Sequence, residues 1–167
     1  MPPTVVLGLG SNLGAREDTL ARALAALEAR GFRRRRESSL YLTEPVGGPP
    51  QDWYINQVVA GDTALTPEQL LEASRDVEQA FDRVRSVRDA PRTLDIDILL
   101  YGDVVTNSPE LTLPHPRLHE RRFVLVPLAE IAPELVHPRF GLSVKDLLER
   151  CSDRSRVILH APAGKRA

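Results

Sequence analysis

The chain has 167 residues, 42% of them hydrophobic and 27% charged, with a net charge of −1. That length favours one domain with a substantial core, and the balanced charge leaves no electrostatic footprint for nucleic acid or an anionic membrane. No run is long and apolar enough to span a bilayer, and the lone Cys151 excludes an internal disulfide and argues against a cysteine-based zinc site; together these favour a cytoplasmic protein.

The opening MPPTVVLGLGSN lacks a basic leader, and its short apolar stretch is broken by glycines. Residues 4–10 therefore read as a buried strand rather than a signal peptide, with Gly10-Ser11-Asn12 as the turn that leaves it. Residues 15–30 read as a helix: Leu20, Leu24 and Leu27 recur at helical spacing, Glu17 and Asp18 sit in the first turn, and Gly31 follows Arg30 as a stop. Residues 33–43 read as a second strand, and its arginine run 33–36 as a solvated edge with no role. Residues 44–53, EPVGGPPQDW, are a loop by composition, and residues 54–61 a third strand. Thr66-Pro67-Glu68-Gln69 opens a second helix with an N-cap, a proline at the first position and a capping-box glutamine; it runs to about Phe81. An arginine-rich loop, 82–92, leads into a fourth strand that ends at the Gly102-Asp103 turn. Residues 104–142 hold many prolines and little periodicity, 143–150 suggest a short helix, and 161–167 a disordered tail.

The order β-α-β-β-α-β matches the ferredoxin-like pattern. It predicts an α+β two-layer sandwich with a mainly antiparallel sheet, both helices on one face, the far face free, and C-terminal additions, all in one domain over 1–160.

The fourth strand, RTLDIDILLYGD (92–103), sets the functional question. Side chains alternate faces along a strand, so Leu94, Ile96, Ile98 and Leu100 are predicted to share the core face, and Thr93, Asp95, Asp97 and Leu99 the other. The apolar face suggests an inner strand. Aspartate is depleted in strands, and two such charges roughly 7 Å apart repel by about 2 kcal/mol at an effective dielectric near 20. A hard cation, most simply Mg²⁺, would offset this, since magnesium takes one or two protein carboxylates and completes its shell with substrate phosphates. Arg83, Arg85, Arg88 and Arg92 lie just before the strand, and Arg121 and Arg122 downstream; guanidinium groups suit phosphate oxygens.

Other candidates are weaker alone. GLGSNLG misses the dinucleotide fingerprint because Leu13 stands where its third glycine belongs, and no Walker G-K-[ST] is present. Tyr54, beside Trp53, could stack on a flat heterocycle, with Asn56 on the same strand face reading its edge. His115 and His119 are four apart, but Pro114 and Pro116 flank the first and no third ligand is evident, which argues against zinc.

Taken together, LGLGSNLG, EPVGG–WYIN, Glu78 with Arg83-Val84-Arg85, PRTLDIDILLYG and LTLPHPRLHERRFVLVPLAEIAPELVHP resemble the 6-hydroxymethyl-7,8-dihydropterin pyrophosphokinase family of folate biosynthesis, over roughly residues 4–140. The resemblance implies transfer of pyrophosphate from ATP to the pterin hydroxymethyl group, with release of AMP. It implies two Mg²⁺ ions on Asp95 and Asp97, and catalytic roles for these together with Arg83 and Arg92. It places Glu78, Arg85, Ile98 (through its backbone), Thr112, His115 and Arg121 at ATP. It places Thr43, Pro45, Val46, Tyr54, Asn56 and Phe123 at the pterin, with Tyr54 and Phe123 sandwiching the ring. The expected partners are these two small molecules, with no nucleic acid or membrane, and the protein is expected as a monomer or weak dimer.

Three positions depart from a well-known version of the family: Ser86, Asp89 and Glu110 replace a lysine, a tryptophan and an arginine, and the 82–92 loop is one residue shorter. A catalytically weakened ATP- and pterin-binding homologue is therefore the alternative. An RNA-binding ferredoxin-like domain is a further rival, disfavoured because carboxylates on the open face repel phosphate. A metal-dependent transferase with another acceptor is the third.

Overall fold

The structure, a computed structural model, describes residues 4–12, 15–45, 52–84 and 94–163. Strand β1 (Thr4–Ser11) is followed by helix α1 (Arg16–Ala29), strands β2 (Phe32–Glu37), β3 (Leu40–Thr43) and β4 (Tyr54–Thr63), helix α2 (Pro67–Val84) and strand β5 (Asp95–Tyr101). A two-stranded hairpin, β6 (Thr106–Asn107) with β7 (Thr112–Leu113), leads to helices α3 (Arg122–Ile131) and α4 (Val144–Arg150) and strand β8 (Val157–Ala161). The main sheet runs β5-β1-β4-β3-β8, with β2 also on β4, and every pairing is antiparallel. No helix among the described residues is long and apolar enough to cross a membrane.

The local signals act as expected in the first half. Thr66 Oγ1 accepts from Gln69 N at 3.1 Å and Gln69 Oε1 accepts from Thr66 N at 2.9 Å, so the capping box starts α2 with Pro67 at its first position. Gly31, at φ +117°, turns the chain out of α1 in a conformation that favours glycine. Leu20, Leu24 and Leu27 of α1, with Leu70 and Val77 of α2, pack on Val5, Leu7 and Leu9 of β1 and on Ile55 and Val59 of β4. These side chains form the principal core, on one face of the sheet.

The predicted strand 33–43 is two strands. Arg35 bulges out of the β2–β4 register, and Ser38 then diverts the ladder: its Oγ accepts from Val58 N at 3.0 Å and donates to Ser39 O at 2.7 Å. The arginine run lies on this surface, with Arg34 paired to Glu28 and Glu37, and Arg35 to Asp62.

Three expectations give way in the second half. β5 ends the sheet order instead of lying inside it, with β1 its only strand partner in the main sheet among the described residues. Leu99 is an extra residue in its pairing with β1, since Val6 opposes Leu100 while Leu7 opposes Ile98. Alternation breaks at this bulge, so Leu100 leaves the predicted face: Leu99 and Leu100 join one core, and Tyr101 the other.

The far face is also not free. Val6, Val58, Ala60 and Leu100 are covered by Val124, Leu125 and Leu128 of α3 and by Val144 and Leu147 of α4, which adds a third layer over part of the sheet. α3 lies within the stretch that showed little periodicity, because FVLVPL is apolar all round and Pro127 interrupts it. Glu130 anchors α3 to the sheet, accepting from Ser39 N at 2.9 Å, Ser39 Oγ at 2.7 Å and Tyr41 Oη at 2.8 Å. Tyr41 is pushed up by burial and by this carboxylate.

Candidate active site

Where the third layer stops, the sheet surface becomes a polar strip. Asn56, Gly10 and Asp95 are cross-strand partners on β4, β1 and β5, and one step along the same is true of Val58, Gly8 and Asp97. The alternation predicted for the two aspartates therefore holds below the bulge. Gly8 and Gly10 are not a phosphate loop, nor is Gly10-Ser11 a turn, since both residues belong to β1. They form a bare floor between the carboxylates and the amide. A Cβ on Gly10 would stand 2.5 Å from Asn56 Nδ2, so glycine here permits a close approach.

A cavity of about 420 Å³ lies on this floor. Asp95 and Asp97 line it at one side, Thr43, Pro45, Tyr54 and Asn56 at another, and Arg121 and Phe123 from the start of α3. Thr43 Oγ1 donates to Asn56 Oδ1 at 2.5 Å, and Asn56 Nδ2 donates to Leu9 O at 3.4 Å. The first bond fixes which way the amide points. Arg121 sits over the Phe123 ring at 5.4 Å from its centroid, a cation–π distance.

Asp97 faces two basic groups without being locked to either, His115 Nε2 and Arg121 Nη1 each at 3.9 Å. The bulge sets the first of these, because Leu99 O accepts the His115 N–H at 2.9 Å. Burial lifts Asp97 above the usual carboxylate range, with Asp95 adding to the lift and His115 and Arg121 opposing it. Burial also lowers His115, with Arg121 and Arg117 adding to it and Asp97 opposing. The site thus holds an acid whose ionised form is disfavoured until further positive charge arrives.

Among the described residues no cluster of three or more histidine, cysteine or acidic side chains could hold a metal by itself. Two carboxylates on one face suit a hard, oxygen-ligated ion that draws its remaining ligands from water and phosphate, and do not suit zinc. His119 does not join them; it packs edge-on against Phe140 at 4.8 Å.

Several expected residues lie elsewhere. Glu78 does not line the cavity; its Oε2 accepts the Ile96 N–H at 2.7 Å, tying α2 to β5. Ile98 is buried in the principal core, and Thr112 donates to Asn107 within the β6–β7 hairpin. Val46, Arg85, Arg88 and Arg92 fall outside the described residues, as does the Arg83 side chain.

Other lining residues were not foreseen, among them Gly8, Gly10, Glu44, Arg117, Ser152 and Asp153. The glycines carried a signal, since glycine inside a strand pattern marks a close approach. Asp153 carried none. It reaches the site from beyond α4, where its Oδ2 accepts the Arg122 N–H at 2.9 Å and caps α3.

Residues 6–133 match the family model of 7,8-dihydro-6-hydroxymethylpterin-pyrophosphokinase (HPPK). The chain belongs to the HPPK family. It is 44% identical over 146 residues to a 2-amino-4-hydroxy-6-hydroxymethyldihydropteridine pyrophosphokinase of Synechocystis sp., covering 87% of this chain and 74% of that one. It is 41% identical over 148 residues to the Pseudomonas aeruginosa protein of the same name, covering 88% and 91%. Its fold is similar to that of Plasmodium falciparum HPPK-DHPS in a structure with pterin and p-hydroxybenzoate, with a TM-score of 0.70 at 16% identity. The match covers 90% of this chain and 43% of that one, so the chain spans less than half of that longer protein. The HPPK-family match ends ten residues before α4 begins to be capped by Ser143, so the α4–β8 segment lies beyond it.

Proposed function

We propose that this HPPK-family protein transfers pyrophosphate from ATP to the hydroxymethyl group of 6-hydroxymethyl-7,8-dihydropterin and releases AMP. The observation that carries this reading is the convergence on one cavity of paired carboxylates, a fixed amide and two aromatic side chains: Asp95 and Asp97, Asn56, and Tyr54 with Phe123. The core β1-α1-(β2, β3)-β4-α2-β5 is read as ferredoxin-like, in line with the strand order β5-β1-β4-β3.

Asp95 and Asp97 would hold magnesium, two ions by family resemblance. When bound, the ions neutralise phosphate charge and bring the nucleotide into line. Tyr54 and Phe123 flank the flat acceptor, and Asn56, its orientation fixed by Thr43, reads the polar edge together with groups of Thr43, Pro45 and Val46. Arg121 and His115 face the phosphates beside Asp97, and the family resemblance adds Arg83, Arg85 and Arg92 to this role. Glu78 acts by holding the edge of β5, with Ile98 and Thr112 on the nucleoside side. The acceptor hydroxyl oxygen attacks the β-phosphorus, an O–P bond forms as the bridging Pα–O–Pβ bond breaks at the β-phosphorus, AMP leaves with the bridging oxygen, and the hydroxyl proton is released to solvent. Such a reaction rests on positioning and charge neutralisation more than on a strong base.

The test is AMP formation from ATP, Mg²⁺ and hydroxymethyldihydropterin, followed by chromatography. Omitting the acceptor is expected to abolish AMP, and replacing it with simple alcohols to give none. Binding of ATP and pterin without AMP would replace this reading with the non-catalytic homologue.

A further inference from the structure

The chain beyond α4 returns to the cavity between two of its walls. Asp153 grips the wall made by α3: its Oδ2 takes the Arg122 N–H, while its Oδ1 accepts from Ser155 N at 2.9 Å and Ser155 Oγ at 2.7 Å. Burial by itself would lift this carboxyl, but the hydrogen bonds from Ser155 and Arg122 outweigh burial and hold it below the usual range, so it stays anionic at a helix N-terminus. The residues on either side of Arg122 are Arg121, which faces Asp97, and Phe123, which walls the cavity.

Three residues on, Arg156 grips the opposite wall. Its N–H donates to Glu44 Oε1 at 2.6 Å and its carbonyl accepts from Glu44 N at 3.1 Å. Its guanidinium lies 4.8 Å from the centroid of the Trp53 ring, whose backbone carbonyl accepts from Arg16 Nη1 at 2.7 Å. Glu44 lines the cavity beside Pro45, and Trp53 adjoins Tyr54, which also lines it.

We propose that residues 152–156 act as a strap that positions both walls of the acceptor pocket, Asp153 through α3 and Arg156 through Glu44 and Trp53. This rests on the acceptor site assigned above. The strap lies outside the residues matched to the family, which end at 133. Arg156 is a positioning residue, since it acts through neighbours at the pocket, and Asp153, which lines the cavity itself, positions α3 through the Arg122 N–H.

The experiment measures equilibrium binding of oxidised 6-hydroxymethylpterin by its fluorescence, alongside kcat and KM for both substrates, in R156A, D153A and their conservative partners R156K and D153N. R156A is expected to weaken acceptor binding and raise its KM roughly fivefold, as loss of one cation–π contact implies, with kcat and the KM for ATP within about twofold. D153A is expected to weaken acceptor binding about fivefold to tenfold, the effect of a lost N-cap, and to raise the KM for ATP as well through Arg121. R156K and D153N, which keep a cation or an acceptor oxygen, are expected to recover most of the loss. A merely structural role would lower the thermal midpoint and the active fraction while leaving the acceptor affinity and both KM values of the folded fraction unchanged. Variants that bind pterin as tightly as the wild type overturn the strap and leave the pyrophosphokinase reading standing. Wild-type protein that binds pterin but makes no AMP, with binding weakened in the variants, overturns the activity and leaves the strap. Wild-type protein that binds no pterin overturns both.

Discussion

The two faces of the sheet solve different problems with the same strands. On one face Val5, Leu7 and Leu9 meet Leu20, Leu24 and Leu27 in a continuous dry core. On the other, α3 and α4 cover Val6, Val58, Ala60 and Leu100 and stop where the sheet presents Gly8, Gly10, Asp95 and Asp97. A helix gains nothing by covering that strip, since it holds little apolar area to bury and two groups whose desolvation is unfavourable. The candidate site therefore lies at the boundary of the outer layer, and one of its walls is made by the first residues of that layer. Changes to the polar strip are expected to cost function and spare stability, and changes to the dry face to do the reverse.

The sharpest break is Asp97→Asn. It is expected to cut AMP formation by about 10³-fold or more, because several kcal/mol of charge stabilisation at the phosphates is lost. The thermal midpoint is expected to hold or rise, since the amide removes a carboxylate that burial and Asp95 disfavour. Asp95→Asn is expected to behave alike in turnover, and near-normal rates in both variants would sink the metal assignment. Next in size is Leu24→Ala, 1% exposed in the dry core. Urea unfolding is expected to show a loss of about 2–5 kcal/mol, with the KM for both substrates unchanged in the folded fraction.

This asymmetry also explains which parts were legible. The capping box at Thr66, the leucine stripe of α1 and the aspartate alternation are short-range patterns, and each produced the predicted local structure. The bulge at Leu99 was hidden because nothing in DIDILLY marks an extra residue. The apolar face of β5 suggested an inner strand, but that face is covered by helices in an edge strand as well, and the burial of its other face at the C-terminal end by α3 and α4 is something no local rule announces. α3 itself was hidden by Pro127 and by an apolar run without a polar side. The site followed the same division. Asp95, Asp97, Tyr54 and Asn56 sit on strands whose periodicity fixes their face, whereas Asp153 and Arg156 enter through contacts 31 and 112 residues away in sequence.

Gly10→Ala separates floor from core more finely. The new Cβ would displace the Asn56 amide, which also gives up its bond to Thr43 Oγ1. The side chain can swing away, so the fold survives. The acceptor KM is expected to rise roughly fivefold to tenfold, the effect of one misdirected hydrogen bond, while the KM for ATP stays within about twofold. A matched rise in both would mean that the floor serves the nucleotide instead.

The smallest effect concerns the anchoring of the outer layer, and pH reads it. His137 follows α3 and is 3% exposed. Its Nδ1 accepts the N–H groups of Arg139 and Phe140, each at 3.2 Å, and its ring stacks on Phe140 with centroids 4.3 Å apart. Burial holds its pKa below the ordinary value, and nearby His119 and Arg139 add to this, so the folded state keeps it neutral. The unfolded chain takes up a proton near pH 6.5. Between that pH and the depressed folded value the unfolded state binds more protons, so stability rises with pH across this window and is lost as pH falls through it. The slope is at most about 1.4 kcal/mol per pH unit. Thermal melts of the wild type are expected to lose stability from pH 7 to pH 5 by more than those of His137→Asn, whose Oδ1 can accept the same two N–H groups without titrating. Because His137 lies in the segment that joins α3 to α4, and α3 forms one wall of the cavity, acid is expected to weaken acceptor binding in the wild type before it unfolds the α1–α2 face, and the asparagine variant to delay that loss.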